Sequence, residues 1–403
     1  MEKQHWDILI VGAGLVGASL AYALSPLTCT HQLSVALVEP NDISVPRHRP
    51  ASFDARSSAL SYGTCQIYES LHLWQSLQSF ATPIKQVHVS DSGHFGITRL
   101  RHRDENVPAL GYVVENHRLG DLLLKHLQNL SHHKRLSLIN PGKVTEILPT
   151  DKRMSVTLDS KGLASQCSAS LVILADGGHS GLMEQLGITR NTRPYRQHAI
   201  IANIQTSHPG NGTAYERFTP KGTVALLPSG ISRYGLVWTI SSENTDSILQ
   251  WSPERFLAEL QNIFGFRAGR FIRLGARHHY PLSLTLANEQ VRPGLVVLGN
   301  AAHTLHPVAG QGYNLSLRDT MTLVDTIKTA VHQGRSPGEL RLLQDYQRLR
   351  EPDQRRVIRF CDMLVNTFNN QKNYSIIARN FGLTALDNSN ALKSHFARLA
   401  MGL

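Results

Sequence analysis

Apolar residues near the start of the chain form two short runs separated by a glycine-rich turn and a helical stretch. Asp7 to Val11 (DILIV) and Ser34 to Val38 (SVALV) are typical of buried strands, because both runs are short and rich in apolar β-branched residues. Ala18 to Leu24, which lies between them, is rich in helix-forming residues. This order predicts a β-α-β unit, whose strands lie parallel because a helix crosses between them.

Further along, β-rich and helical segments alternate. Residues 85–103 show the alternation of hairpin strands, residues 118–130 are helical, and Leu171 to Leu174 is a buried strand. Strand-like runs then recur from 195 to 280, interrupted by one helical stretch near 253–264. Leu295 to Leu298 is another buried strand, after which the pattern is helical from Gly312 onward.

These segments predict an α/β protein with a Rossmann-like nucleotide-binding domain, an interleaved β-sheet domain and a C-terminal helical tail. The nucleotide-binding domain is expected to be discontinuous, over residues 1–84, 104–184 and 275–345. Residues 85–103 and 185–274 are expected to form the β-rich domain that lines the substrate pocket. Residues 346–403 are expected to form the helical region.

The glycine-rich turn fits the fingerprint GxGxxG at Gly12, Gly14 and Gly17. Gly12 permits the tight turn, Gly14 lets the backbone approach a pyrophosphate, and Gly17 allows close packing of helix and strand. Glu39 ends the second strand, where a carboxylate accepts hydrogen bonds from a ribose 2′-hydroxyl and repels a 2′-phosphate. The pattern predicts a site for the adenosine half of FAD or NAD and disfavours NADP there.

Composition and charge narrow the alternatives. The 403 residues carry a net charge of +11, which favours an anionic partner, but the basic residues are scattered rather than clustered with aromatics, so no nucleic-acid partner is expected. Four separated cysteines predict neither a disulfide framework nor a zinc site. The uncharged run from Ile8 to Leu24 resembles a signal peptide, but Glu2 and Asp7 and its glycines argue against that interpretation.

A second site is predicted near residues 296–314, VVLGNAAHTLHPVAGQGYN. The pattern predicts a strand, a polar turn, and a helix that begins at Gly310-Gln-Gly312. The unpaired backbone amides at such a helix start favour negative charge. This stretch resembles the GDAAHxxxPxxGQGxN motif of the FAD-dependent aromatic hydroxylases, the group A flavoprotein monooxygenases, which share the para-hydroxybenzoate hydroxylase-like fold. Leu174 to Ser180 (LADGGHS) resembles their DG motif, and Asp54-Ala-Arg56 resembles their early DxR segment.

Within that family, the chain is most similar to the ubiquinone-biosynthesis hydroxylases, in particular to the branch that acts on polyprenyl methoxyphenols. Four stretches carry this likeness: Ser61–Cys65, Tyr112–Asn116, Glu216–Phe218 and Ala225–Pro228. Two positions depart from the general pattern. Asn300 replaces the aspartate of the first motif, and Met183 replaces the arginine that ends the DG motif; the resemblance implies that both departures recur in this branch.

The resemblance implies roles for individual residues. Gly12, Gly14, Gly17 and Glu39 would hold the ADP half of FAD, Arg56 would meet the pyrophosphate or flavin edge, and Asn116 would also contact the cofactor. Asp176 belongs to a motif that contacts both FAD and NAD(P)H, and Asn300 would bind the ribitol. Gly310, Gly312 and Asn314 would cradle the flavin ring, with Pro307 and Gln311 close to it. The expected substrate-lining residues are Arg217, Phe218, Leu226, Pro228 and Trp238.

The implied activity is hydroxylation of the ring of a polyprenyl methoxyphenol through a flavin C4a-hydroperoxide, with O2 and either NAD(P)H or a protein electron donor. The flavin carries this chemistry, so no protein residue is assigned as catalytic. Two alternatives stay open: a flavoprotein reductase or dehydrogenase on the same fold, and a non-catalytic FAD-binding subunit of a biosynthetic assembly.

The expected partners are a prenylated phenol, other quinone-biosynthesis proteins and a membrane surface. The expected location is therefore cytoplasmic and peripheral on the inner membrane. No metal is expected, because His303 and His306 have no third ligand at a suitable spacing.

Overall fold

The computed structural model describes residues 4–43, 57–132, 136–369 and 373–403. In chain order the strands are β1 (His5–Val11), β2 (Val35–Val38), β3 (Ser57–Ser61), β4 (Thr82–Ile84), β5 (Gln86–Asp91), β6 (Ile97–Arg101), β7 (Gly111–Glu115), β8 (Ser137–Ile139), β9 (Lys143–Pro149), β10 (Met154–Ser160), β11 (Leu163–Leu174), β12 (Arg190–Thr206), β13 (Thr213–Thr219), β14 (Gly222–Pro228), β15 (Arg233–Ser241), β16 (Phe271–Leu274), β17 (His278–Ala287), β18 (Val291–Arg292), β19 (Leu295–Val297) and β20 (His303–Thr304).

The helices alternate with these strands and then dominate the last quarter of the chain. They are α1 (Leu15–Thr30), α2 (Tyr62–Ser70), α3 (Trp74–Gln78), α4 (Asn116–His132), α5 (Leu182–Gln185), α6 (Thr245–Leu249), α7 (Pro253–Phe264), α8 (Gln311–His332), α9 (Leu340–Asn369), α10 (Asn373–Asn388) and α11 (Asn390–Met401).

Eight of the described strands form the first sheet, in the order β18-β19-β11-β1-β2-β8, with β10 and β9 added beside β11. Strands β19, β11, β1, β2 and β8 are parallel, so their carboxyl ends share one edge. Side chains alternate along β1: Ile8 and Ile10 pack against helices α1, α4 and α8, while Leu9 and Val11 pack on the opposite face. Burial on both faces explains why these strands read as continuous apolar runs.

Nine of the described strands form the second sheet, in the order β20-β17-β12-β15-β14-β13-β5-β6, with β16 paired to β12. Most pairs are antiparallel, and β13 with β5 is parallel. One face packs on α7, whose Phe256, Leu260 and Phe264 are fully buried. The other face looks towards α9, α10 and α11, so the C-terminal helices and this sheet enclose the space between them.

The predicted fold class is confirmed: a parallel Rossmann-like sheet, an interleaved β-sheet and a helical C-terminal region are all present. Strand β17, which the proposed domain division assigns to the nucleotide-binding part, pairs with β12 in the second sheet over residues 278–287. The second sheet therefore continues past residue 274, and the division into domains stays a prediction. In the part of the chain that the structure describes, no helix is long and apolar enough to cross a membrane.

Candidate functional site

The turn after β1 has the backbone geometry that its three glycines predict. Gly12 has a φ of +99°, and a Cβ at Gly17 would lie 2.0 Å from the carbonyl oxygen of Gly12, so neither position accepts a side chain. Gly14, in contrast, has nothing within 4 Å of an added Cβ. It faces open space in front of the N-terminus of α1, where free amides favour an anion.

Glu39 lies just beyond the carboxyl end of β2 and is tied to the glycine turn. Its Oε2 accepts a hydrogen bond from the backbone amide of Ala13 at 2.9 Å, and its Oε1 accepts one from the Asn41 side chain at 2.7 Å. The carboxylate is nearly buried, yet it lines the same cleft as Gly14. This position suits the recognition of ribose hydroxyls.

A cleft of about 840 Å³ runs along the carboxyl edge of the first sheet. Two further predicted residues line it, Asp176 and Asn300. Asp176 accepts hydrogen bonds from the amides of Gly178 at 3.1 Å and Ser180 at 3.0 Å, which holds the turn after β11. Asn300 is exposed on the turn after β19. The structure therefore brings together residues from three separate motifs around one elongated cleft.

Helix α8 begins where this cleft meets a second cavity. Ala309 and Gly310 both have positive φ, +58° and +60°, which turns the chain sharply into the helix. Tyr313 and Ser316 line the first cleft, while Pro307, Gly310 and Gln311 line the second cavity. The first turns of one helix thus separate the two spaces and present backbone amides between them.

The Asn314 side chain forms hydrogen bonds beside the turn at Gly310, and its expected place at the flavin ring stays a prediction. Its Oδ1 accepts from the amide of Ser61 at 2.9 Å, and its Nδ2 donates to the carbonyls of Ala59 at 3.0 Å and Gly310 at 2.8 Å. These bonds use the side-chain amide to fasten β3 to the start of α8. Asn314 therefore fixes the shape of the turn at Gly310.

A buried polar network connects the loop before α8 with helices α8 and α9. His303 bonds through Nε2 to Asp319 Oδ2 at 2.7 Å, and Asp319 also accepts from Arg350 and from Gln354. Asp319 is held between these partners, so His303 acts within a structural network. Among the described residues, no group of three His, Cys, Asp or Glu side chains is placed to hold a metal ion.

The second cavity, of about 220 Å³, lies between the second sheet and the C-terminal helices, and we call it the apolar cavity. Its walls are largely aliphatic and aromatic, and come from β5, β6, β13, β14, the α8 turn and α9 to α11. Residues whose role the sequence did not indicate include Val87, Leu100, Leu364, Leu383, Leu386, Phe396 and Met401. No motif marks them, because their shared position arises only when distant segments pack.

Strand alternation decides which predicted substrate-lining residues reach this cavity. Phe218 does, together with Ala225 and Leu227. Leu226 and Trp238 are buried on the opposite face against α7, and Arg217 donates from Nε to the Ile263 carbonyl of α7 at 3.0 Å. Pro228, buried at the end of β14, is two residues from Leu226 and shares its face. The expected lining role is thus corrected for Arg217, Leu226, Pro228 and Trp238.

The other positions singled out from the sequence are Arg56, Asn116 and Met183. Arg56 lies outside the described residues. Asn116 begins α4 and does not line either space, but its Oδ1 is buried without a hydrogen-bond partner among the described residues. Met183 is 1% exposed and packs with Val11 and Leu174 beneath the first sheet. An apolar side chain fits that position, which accounts for methionine where the motif has arginine.

The glycine turn, the acidic end of β2 and the elongated cleft define a dinucleotide-binding protein whose second sheet carries an additional cavity. Comparison with known proteins gives the family. The chain belongs to the FAD binding domain family, which matches residues 5–361.

Similar proteins agree with the resemblance to ubiquinone-biosynthesis hydroxylases, and that prediction is confirmed. The chain is 34% identical over 396 residues to the ubiquinone hydroxylase UbiL of Rhodospirillum rubrum, covering 98% of this chain and 89% of UbiL. It is 30% identical over 408 residues to the 3-demethoxyubiquinol 3-hydroxylase of Escherichia coli, covering 100% of both.

A solved structure supports the fold. The p-nitrophenol 4-monooxygenase PnpA of Pseudomonas putida superposes with a TM-score of 0.80 over 98% of this chain and 97% of PnpA, at 15% identity. At 15% identity this similarity supports the fold alone. The family match confirms the prediction that FAD is the cofactor.

Proposed function

We propose that this protein is an FAD-dependent monooxygenase that hydroxylates the ring of a prenylated methoxyphenol in ubiquinone biosynthesis. The observation that carries the proposal is the meeting of two spaces at the start of α8. One is the dinucleotide cleft beneath Gly14, and the other is the apolar cavity that begins at Pro307 and Gly310. A flavin ring that extends from the first space to this turn would face a substrate in the second.

The residues present fit FAD. The open position at Gly14 gives a pyrophosphate room to approach the backbone, and Glu39 is placed for the adenosine ribose. Asn300 would reach the ribitol as a neutral partner, and the amides at Gly310 and Gly312 would face the ring. When bound, reduced flavin supplies the activation of O2 and the transfer of one oxygen atom to the ring.

The protein's own part is to orient the substrate and exclude water. The apolar walls of the cavity match a prenylated phenol, since burial of each methylene contributes about 0.8 kcal/mol. The asparagine bonds that fix β3 to Gly310 hold the flavin-facing turn in place. The C-terminal helices close the far side through Leu383 and Phe396.

A membrane contact is part of the proposal, because a long prenyl tail partitions into lipid. The hairpin tip between β5 and β6 and the outer face of α10 expose Phe95 (63%), Phe381 (64%) and Ile377 (56%). The two phenylalanine rings pack edge to face at 5.8 Å and form one apolar patch beside the helices that line the cavity. The net charge of +11 favours anionic lipid headgroups. Other quinone-biosynthesis proteins are proposed to assemble on the same membrane.

The membrane contact is tested by co-sedimentation with vesicles that contain phosphatidylglycerol. Phe95→Ser combined with Phe381→Ser should weaken vesicle binding. Phe266→Ser, which removes an equally exposed ring from the far side of the second sheet, should not. Equal vesicle binding by wild type, the double variant and Phe266→Ser would count against this surface.

The activity is tested with purified protein, a short-chain prenylated methoxyphenol, NADH or NADPH, and ¹⁸O2. We expect flavin absorption bands and one ¹⁸O atom in the ring of the product. A reductase would oxidise the reductant without labelling the substrate. An FAD-binding subunit without activity would show the flavin bands and neither reaction, so the three alternatives give different results.

A further inference from the structure

One carboxylate lies in the wall of the apolar cavity. Among the described residues that line the cavity, Glu216 carries the only charged side chain. It lies on β13, where Ala214, Glu216 and Phe218 share the face turned to the cavity. Its strand neighbours on that face are Val89 of β5 and Ala225 of β14, neither of which offers a hydrogen bond. Desolvation of an unpaired carboxylate in such a place is costly, and groups perturbed in this way cluster at functional sites.

No group in the described part of the chain neutralises this carboxylate. Within the described residues, Glu216 forms no ion pair and no side-chain hydrogen bond, in contrast to buried Asp91 on the same sheet, which pairs with Arg379. Burial alone raises the pKa of Glu216 to about 7. The group is therefore poised between its charged and neutral forms at neutral pH, the condition that favours proton transfer in both directions.

We propose that Glu216 binds the phenol hydroxyl of the substrate and accepts its proton while the ring is oxygenated. The inference rests on the proposed function and assigns a catalytic residue to it. Removing the proton matters because an ionised phenol donates electron density into its ring, which makes the ring carbon a better nucleophile towards the transferred oxygen. The sequence pattern places Glu216 on the β-rich block but gives it no role.

Glu216 takes up and returns one proton in each turnover. As the new C–O bond forms, the phenol O–H bond breaks, its proton passes to a Glu216 carboxylate oxygen, and its electron pair enters the ring. When the ring then loses the proton of the oxygenated carbon to solvent, Glu216 returns its proton to the phenol oxygen, and aromaticity is restored. O2 supplies the oxygen atom, its second atom leaves as water, and the reductant supplies two electrons.

The other titratable groups around this face do not compete for the proton. Burial, and then the charge of Glu216, raise the pKa of the Cys361 thiol on α9 to about 12, so that thiol stays protonated. Burial lowers the pKa of His306, in the loop before Pro307, to about 4, so that imidazole stays neutral. On α10, Arg379 is committed to Asp91.

The test compares Glu216→Gln, Glu216→Asp and the control Glu243→Gln, which neutralises an exposed glutamate far from the cavity. We expect Glu216→Gln to lower the rate of product formation on the order of 10²-fold, the range of general acid–base catalysis. Flavin binding and the rate of flavin reduction should not change. Glu216→Asp should recover part of the loss, and Glu243→Gln should behave as wild type.

Two measurements separate a proton acceptor from a residue that only shapes the cavity. In wild type, hydroxylation should rise with pH through about 7, because the ionised form is the active one, and Glu216→Gln should lack this rise. With a fluorinated phenol that is already ionised at the assay pH, the defect of Glu216→Gln should shrink to about tenfold or less.

The outcomes are distinct from those for the proposed function. If wild type forms no ¹⁸O-labelled product, the proposed function fails, and this inference with it. If wild type hydroxylates but Glu216→Gln keeps its rate and pH dependence, or shows the same defect with ionised phenols, Glu216 is not the proton acceptor and only this inference is overturned. If Glu216→Gln does not fold, the pH dependence of wild-type hydroxylation is compared for a neutral and an ionised phenol. A rate that rises with pH for the neutral phenol, but not for the ionised one, supports the assignment. Absence of this rise overturns it.

Discussion

The ion pair between Asp91 and Arg379 holds the C-terminal helices against the second sheet, and removing it should release them. Asp91 Oδ2 accepts from Arg379 Nε at 2.7 Å and from Asn380 Nδ2 at 2.8 Å, and the paired side chains are 1% and 2% exposed. Asp91→Ala would leave the guanidinium buried without its charge partner. Breaking a buried pair in this way costs about 3–5 kcal/mol.

The loss of this ion pair should undock the C-terminal helices before it unfolds the whole protein. Helix α10 is otherwise fastened to β6 by the Thr98 hydroxyl, which donates to the Leu383 carbonyl at 2.7 Å, and by the Arg99 amide, which donates to Asp387 at 2.9 Å. A loss of about 3–5 kcal/mol raises the fraction of undocked helix by roughly 10²- to 10⁴-fold. Since α10 and α11 form walls of the apolar cavity, hydroxylation should also become uncoupled from flavin oxidation.

Hydrogen exchange followed by mass spectrometry measures this change segment by segment. In Asp91→Ala, peptides from residues 376–401 should exchange faster, while peptides from β1 and β11 keep their protection. The double variant Asp91→Leu with Arg379→Met should recover most of the protection, because it leaves no buried charge. Glu339→Ala, which breaks an exposed pair with Arg335, serves as the control. Unchanged protection at 376–401 in Asp91→Ala would refute the reasoning.

Three further predictions concern the cofactor site, the apolar core between the second sheet and α7, and the dependence of stability on pH. Gly14→Val should weaken FAD binding roughly 10- to 100-fold, through loss of a charge-assisted backbone contact, in a titration of apoprotein; normal affinity would contradict the placement of the site. Trp238→Ala, at a ring 5.4 Å from Phe256, should cost about 3–5 kcal/mol in urea unfolding, and a loss under about 1 kcal/mol would show that the site is less tightly packed. Burial lowers the pKa values of His88 and His306 to about 4, so the unfolded chain binds more protons between pH 6.5 and 4. Stability should therefore fall across that window as the pH drops, by at most roughly 3 kcal/mol for each imidazole, and His88→Gln should flatten the fall.

Some elements could be predicted from sequence with almost the bounds that the structure has. The helix expected near 253–264 occupies Pro253–Phe264, where Ser252 accepts a hydrogen bond from the Arg255 amide and proline starts the first turn. Local signals suffice there, since a cap, an N-terminal proline and an amphipathic period all lie within one segment. The same holds for the turn at Gly12, which only glycine geometry allows.

The facing of the β-rich strands could not be predicted in this way. Alternation separates Leu226 from Leu227 on β14, but both faces of the second sheet are apolar. Which face meets α7 and which meets the cavity depends on where residues 253–264 and 373–401 dock, far away in the chain. The role of Glu216 could not be predicted for the same reason, because a lone glutamate in a strand carries no sign that its surroundings are apolar.

The amino-acid sequence by itself determined the β-α-β unit, the glycine turn, the acidic end of β2 and the order of the motifs, because each depends on neighbouring residues and on backbone geometry. Tertiary structure alone decided that α8 begins between two spaces, that Asn314 fastens the turn at Gly310, and that the C-terminal helices complete a cavity around Glu216. Those features depend on contacts between segments up to about three hundred residues apart, such as Thr98 with Leu383. Such contacts form through packing and burial of the whole chain, which no local pattern encodes.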